Sequence, residues 1–351
     1  MHPEPRPELV GLPPTIHGGS DDGRFLDFST GVSSLTPPAE IVAAIRDADL
    51  SRYPHPTALP VREAIAPLHD LSPERVVVGA GAVELIWALA RVFAGAGRCG
   101  VVVTPTFGEY EQALKVSGAR VASIRMPAPA FAFPVEALEA ALGASPIAIA
   151  FICRPSNPCL TAAPAGELEG LARRWPGTLF VIDEAYLPMF DGVESVALAP
   201  NVTLLRSLTK VFALPGLRLG YLLASASVAA AVQTGLPPWN VSSAAQAAGV
   251  VAARLLLAEV GSIRARIAAL RSSLAERLSR VAGPPERTGG PFLLFRSERA
   301  NAIANYLRQR RILVRHCSSF GLPDYLRIGV RAEADQEILV RAWRGLPARD
   351  R

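Results

Sequence analysis

Six short runs of β-branched and other apolar residues recur along the first two thirds of the chain, at spacings that leave room for a helix between them: RVVVGAG near 75, CGVVVTPTF near 100, IAIAFICRPSNP near 147, TLFVIDEAY near 178, VTLLRS near 202 and RLGYLLAS near 218. Strands that are apolar throughout, rather than alternating, belong to a sheet covered on both faces. The intervening segments, VELIWALARVFA and AGELEGLARRW among them, space their apolar residues as amphipathic helices do. Strand and helix in alternation make an α/β core with a mostly parallel sheet.

Beyond PPW at 237–239 the texture changes. An arginine-studded stretch from about Ser242 to Val281 reads as one long helix, followed by FLLFRS, ILVRH, YLRIGV and a closing helix, the pattern of a smaller α+β unit. The first thirty-five residues are loop-like and suited to covering a site or a partner subunit. The expected division is an arm at 1–35, a large domain at 36–240 and a small C-terminal domain at 241–351, within the usual range for a chain of 351 residues.

A net charge of +5 with scattered arginines gives no reason to expect a nucleic-acid or membrane partner. Cys99, Cys153, Cys159 and Cys317 have neither CxxC spacing nor clustered histidines, so no metal site is expected and the thiols read as reduced, in a cytoplasmic protein. The opening MHPEPRPELVGLPP lacks the apolar core of a signal peptide.

In an open parallel sheet the ligand lies outside the carboxyl ends of the strands, so the residues after each strand carry the functional argument. RVVV is followed by GAGAVE, in which glycines permit close approach and a helix from about Glu84 offers free amides to an anion; by itself this reads more readily as a tight strand-to-helix turn. TPTFGEY puts Phe107 where a ring can stack on a flat ligand or simply pack in the core. RPSNP brings Asn157, and IDEAY brings Asp183 straight after a buried run, where a carboxylate needs a partner. VTLLRSLTK ends on Lys210. Only two of the 36 basic residues are lysines, Lys115 and Lys210, and an arginine cannot serve as an amine nucleophile. Ser207, Thr209 and Arg218 around it can bind a phosphate.

Together these strand ends supply what pyridoxal 5'-phosphate needs, and the chain resembles the pyridoxal-phosphate enzymes of aminotransferase class I/II. Within that superfamily the likeness is greatest to the threonine-phosphate decarboxylases of cobalamin biosynthesis, then to the histidinol-phosphate aminotransferases. It runs through HGG at 17–19, DFS at 27–29, RYP at 52–54, VTPTFGEY, the SNP turn, IDEAY, RSLTKVFALPGLRLGY, PPWNVS, RILVRHC and LRIGVR. The resemblance implies the aspartate-aminotransferase-like fold. It implies that Lys210 bonds the cofactor's aldehyde and moves protons at the substrate's α-carbon, that Asp183 pairs with the ring nitrogen, that Asn157 and Tyr186 hold the phenolic oxygen, and that Phe107 stacks on the ring. Gly81, Ala82 and Val83 amides, Ser207, Thr209 and Arg218 would hold the phosphate, with Tyr53 reaching the phosphate of the neighbouring subunit in a homodimer. Arg327 would grip the substrate carboxylate, with Arg315 and His17 serving its distal anion.

The pattern departs from the family at Cys159-Leu160, where a Thr-Gly pair is usual, at Val83, at STGVSS in place of an asparagine-rich segment, and at Pro291. The last two line the substrate side. The expected activity is decarboxylation of threonine O-3-phosphate or a close anionic analogue. Transamination of the histidinol-phosphate type is the alternative, and a catalytically silent cofactor-binding protein the reading from another class.

Overall fold

The computed structural model describes residues 4–19 and 23–347. A first short strand, β1 (Leu26–Asp27), precedes seven that form the main sheet: β2 (Val76–Gly79), β3 (Cys99–Thr104), β4 (Arg120–Arg125), β5 (Ile149–Cys153), β6 (Leu179–Asp183), β7 (Val202–Ser207) and β8 (Gly220–Leu223). They lie in the order β2-β8-β7-β6-β5-β3-β4. β7, β6, β5, β3 and β4 are mutually parallel, and β8 runs antiparallel to both of its neighbours. Six of the seven strands are fully or almost fully buried on both faces, which is why they read as the six apolar runs.

β4 has no counterpart among the six runs. RVASIR alternates, carries an arginine at each end and has no buried residue, the composition of an edge strand whose outer side faces water. The reversal of β8 was also invisible, because the apolar pattern of a strand says nothing of its direction. It has a large consequence: the segment joining β7 to β8 starts and ends at the same edge of the sheet, so Lys210 and Arg218 both stand where the other parallel strands end.

The C-terminal part adds β9 (Arg287–Gly289), β10 (Phe292–Arg296), β11 (Ile312–Leu313), β12 (Arg315–His316) and β13 (Tyr325–Gly329). Four of these form an antiparallel sheet, β12-β13-β10-β9. β11 pairs instead with β1, Leu26 opposite Ile312 and Asp27 opposite Leu313. The segment expected to be wholly arm-like therefore gives two residues to a sheet with the C-terminal part, and Phe28 joins the core of that part.

The long helix runs from Ser243 to Ala282, with the Ser242 hydroxyl accepting from Ala245 N at 3.2 Å and Gly283 at φ +77° ending it. It serves two cores. Ala245, Ala248, Ala252, Ile263 and Ile267 pack with the main sheet, whereas Leu270, Leu274 and Leu278, spaced to share one face, pack with Phe295, Leu326 and Trp343. Each fully buried leucine there is worth about 1.5–3 kcal/mol. By length and composition the helix could cross a bilayer, but its buried stripes have partners inside the protein.

Candidate active site

The carboxyl ends of the main strands enclose a small cavity lined by Gly81, Ala82, Val83, Phe107, Asn157, Asp183, Tyr186, Ser207, Thr209, Lys210 and Arg218. Every cofactor residue expected from the sequence is in that set except Tyr53, which is 83 % exposed and packs on Trp239 at a centroid distance of 5.0 Å. A wider cleft of about 610 Å³ shares Val83, Phe107, Asn157, Tyr186, Lys210 and Arg218 with the cavity and adds His17, Arg315 and Arg327. The structure thus brings the expected substrate residues to the mouth of the expected cofactor site.

Asp183 is the last residue of β6, in register with Cys153 of β5 and Leu205 of β7. It is buried, with Oδ2 accepting from Tyr110 Oη at 2.6 Å and Oδ1 from Ala185 N at 2.9 Å. Burial pushes its carboxyl above the usual carboxylate range, and the Tyr110 hydroxyl, the Ala185 amide and the Lys210 charge work against that push. Such a carboxylate gains from one more cationic hydrogen-bond donor, which a protonated ring nitrogen is. The Cys153 thiol in the same wall is raised to about 12, by burial first and by Asp183 second, and stays neutral.

Successive residues of a strand face opposite ways, so Glu184 leaves the site on the other side of the sheet. There it is fully buried and meets Arg154 at 3.3 Å and Arg206 at 2.6 Å, while Ser195 Oγ and Val196 N donate to it at 2.8 and 3.0 Å. This charge cluster ties together the ends of β5, β6 and β7, which carry Asn157, Asp183 and Ser207.

Across the site, the helix Ala82–Phe93 begins with no intrahelical acceptor for the Ala82 and Val83 amides. It starts two residues earlier than the expected Glu84. The Glu84 side chain instead caps the turn, accepting from Ala80 N and from Asn240 of PPWNVS, each at 2.6 Å. Gly81 N donates back to Gly79 O at 2.7 Å, so the Gly81 amide, expected to face the phosphate, is engaged within the turn. Glycine suits position 81 for another reason: it sits at φ +85°, a conformation that residues with a side chain rarely adopt, and a Cβ there would displace the Arg218 guanidinium. Arg218 itself is left-handed at φ +53°, a conformation that costs a non-glycine residue about 1–2 kcal/mol. The buried hydroxyls of Ser207 and Thr209 lie 3.1 Å apart and, among the described residues, bond only each other. Two free amides, two hydroxyls and a guanidinium suit a phosphate dianion.

Lys210 Nζ lies 4.9 Å from the centre of the Tyr186 ring. Phe107 borders the same space and meets Tyr110 edge-on at 5.8 Å. Arg327, buried in β13, donates to Asn157 Oδ1 and to Ser29 O and lies over the Phe292 ring at 4.2 Å, while its Nε has no partner. Arg315 of β12 stands directly opposite Arg327 in the ladder. It donates to Ile16 O at 2.7 Å, His17 O at 3.1 Å and Ser319 Oγ at 2.7 Å, so the arm is seated on the guanidinium. Burial and then the neighbouring Arg327 charge lower the pKa of Arg315. His17 Nε2 lies 2.9 Å from Oε1 of buried Glu109, whose Oε2 accepts from Trp87 Nε1 at 2.7 Å.

Sequence reasoning missed Tyr110, Glu84, Asn240 and Glu109. Tyr110 lies in the first turn of the helix Glu109–Val116 and closes the strand-end segment TPTFGEY that carries Phe107, and that adjacency was the available signal.

A sequence model of the class I and II aminotransferases matches residues 24–346. The chain belongs to that family. This aminotransferase-family enzyme is 34% identical to the histidinol-phosphate aminotransferase of Symbiobacterium thermophilum over 322 residues, 88% of the chain and 86% of the relative. Among solved structures it resembles the Sinorhizobium meliloti histidinol-phosphate aminotransferase in complex with pyridoxal-5'-phosphate, at TM-score 0.86 and 22% identity over 96% of each chain. It also resembles the L-threonine-O-3-phosphate decarboxylase of Porphyromonas gingivalis, at TM-score 0.74 and 23% identity over 90% of this chain and 97% of that one. The fold is the α/β architecture of that family, and the cofactor is pyridoxal 5'-phosphate.

Proposed function

We propose that this enzyme is an aminotransferase whose substrate bears a distal anion, of the histidinol-phosphate type. The observation that carries the reading is the Arg315–Arg327 pair. Two guanidiniums face each other across adjacent strands at the mouth of the site and, among the described residues, neither has a carboxylate partner. Like charges directly opposite on a sheet are unfavourable, so the pair gains most when an anion is bound between or beside them. The decarboxylase expectation yields to the aminotransferase one because several relatives above 30% identity, the Symbiobacterium thermophilum one among them, carry the latter name, whereas the decarboxylase likeness lies below 25% and concerns the fold.

Pyridoxal phosphate, when bound, supplies an electron sink for the pair left behind as a bond to the substrate's α-carbon breaks. In the proposed roles Lys210 takes the α-hydrogen as a proton and returns one, Asp183 holds the proton on the ring nitrogen, and Asn157 and Tyr186 donate towards the phenolic oxygen. Ala82, Val83, Ser207, Thr209 and Arg218 retain the phosphate, and Phe107 covers the ring. Arg327 orients the α-substituent so that the bond to be broken stands across the ring plane. Arg315 and His17 receive the distal anion. Tyr53, on the outer surface with Trp239, reaches the phosphate site of a second copy in a cytoplasmic homodimer.

Incubating the purified enzyme with histidinol phosphate and 2-oxoglutarate tests the reading: glutamate should accumulate. Release of carbon dioxide from threonine O-3-phosphate with no glutamate from any amino donor would overturn it.

A further inference from the structure

We infer that Tyr110 is a positioning residue that acts through Asp183, holding that carboxylate in the anionic form that keeps a proton on the cofactor's ring nitrogen. The inference rests on the proposed placement of Asp183 against that nitrogen.

Three contacts fix the tyrosine. Its ring is fully buried and stacks on Phe151 of β5, 5.2 Å between centroids and 7° from parallel. Its edge meets Phe107 at 5.8 Å and 82°, so the ring expected to cover the cofactor is braced by the residue that bonds the carboxylate beneath it. Its hydroxyl donates to Asp183 Oδ2 at 2.6 Å. That hydroxyl remains a neutral donor at any working pH, because burial and the adjacent Asp183 hold its pKa well above the ordinary tyrosine value.

Every group that faces Asp183 points to the same balance. Lys210 approaches from the β7 end and Cys153 from β5, the latter neutral. Glu184, next along the chain, is turned to the far face and paired with Arg154 and Arg206. Tyr110 comes from the helix Glu109–Val116. Among these only the Tyr110 hydroxyl and the Ala185 amide donate hydrogen bonds to the carboxylate. Removing the hydroxyl would make Asp183 a weaker anion that holds a proton on the ring nitrogen less firmly, and the cofactor's electron-sink chemistry would weaken with it.

The sign follows. A carboxylate whose pKa rises on losing a donor is protonated at higher pH, so the acid limb of the kcat profile moves up. A hydrogen bond to a charged group is worth enough to move it by about one pH unit and to lower kcat about tenfold, with KM changed less than about twofold.

The test is a pH titration of the bound cofactor's visible absorption in four holoenzymes: wild type, Tyr110→Phe, Asp183→Asn and the double variant, each first checked for cooperative melting. Tyr110→Phe keeps the stack on Phe151 and removes only the oxygen. The band midpoint should rise in Tyr110→Phe, and the tyrosine change should add nothing once Asp183 is Asn. An unchanged midpoint in Tyr110→Phe beside a shifted one in Asp183→Asn would overturn the role of Tyr110 alone. A Tyr110 effect that persists undiminished in the Asp183→Asn background would do so too, by assigning it to packing. A wild-type band in Asp183→Asn would instead sink the placement of Asp183, and this inference with it.

Discussion

The proposed cofactor half and the proposed substrate half of the site are built differently. Asp183, Ser207, Lys210 and Arg218 stand on or beside the ends of adjacent strands of one sheet, and the buried Glu184 cluster braces those ends from behind. The substrate half has no single scaffold. His17 and Ser29 come from the N-terminal segment and Arg315 and Arg327 from the C-terminal sheet, nearly 300 residues away in the chain, and they meet through Arg315 to the Ile16 and His17 carbonyls and Arg327 to Ser29 O. The two halves touch where Arg327 donates to Asn157 Oδ1.

Substitutions can break or sharpen that contrast. The largest effect is expected at Lys210→Ala, which should remove the yellow band and lower kcat by about a thousandfold or more, the size of a lost general acid–base group. Lys210→Arg should not rescue it, since the guanidinium cannot give up its proton. Arg327→Ala should reduce kcat/KM about 10- to 100-fold, the cost of losing charge-assisted bonds to a carboxylate, with the absorbance of the resting enzyme retained. Loss of the cofactor on Arg327→Ala would show the two halves to be coupled.

Arg315→Ala should cost about tenfold in kcat/KM for a substrate with a distal phosphate and little for an uncharged analogue of the same length, measured side by side. Gly31→Ala probes the seam. A Cβ there would fall 2.0 Å from Phe292 Cζ and 2.7 Å from Tyr186 Cε1, so overpacking should cost about 1–3 kcal/mol in thermal or urea unfolding. The smallest change is expected at Tyr53→Phe, a few-fold weaker retention of cofactor on gel filtration of the dimer. A monomeric enzyme would show none, because within one chain Tyr53 is 83 % exposed and outside the cavity.

That the proposed cofactor residues gather in one cavity was legible in the sequence, because they follow apolar runs immediately, as with Asp183 after LFVI and Lys210 after LLRSLT. Ala82 and Val83 were legible as residues at a helix start, whereas the bond from Gly81 N to Gly79 O was not, because it depends on how the turn closes. Tyr110 and Glu109 were missed for a related reason: a tyrosine and a glutamate on a helix have no chemistry until a partner from another segment reaches them.

The sequence alone determined the α/β class and the cofactor and singled out Lys210 as the amine proposed to meet it, because a fully buried strand must be apolar along its length and an arginine cannot serve as an amine nucleophile. Tertiary structure alone decided that β8 reverses, bringing Arg218 back to Lys210, and that Arg315 and Arg327 face each other under the N-terminal arm. Strand direction and pairings across hundreds of residues leave no local periodicity, since they are selected by the packing of the whole chain rather than by the residues of any one run.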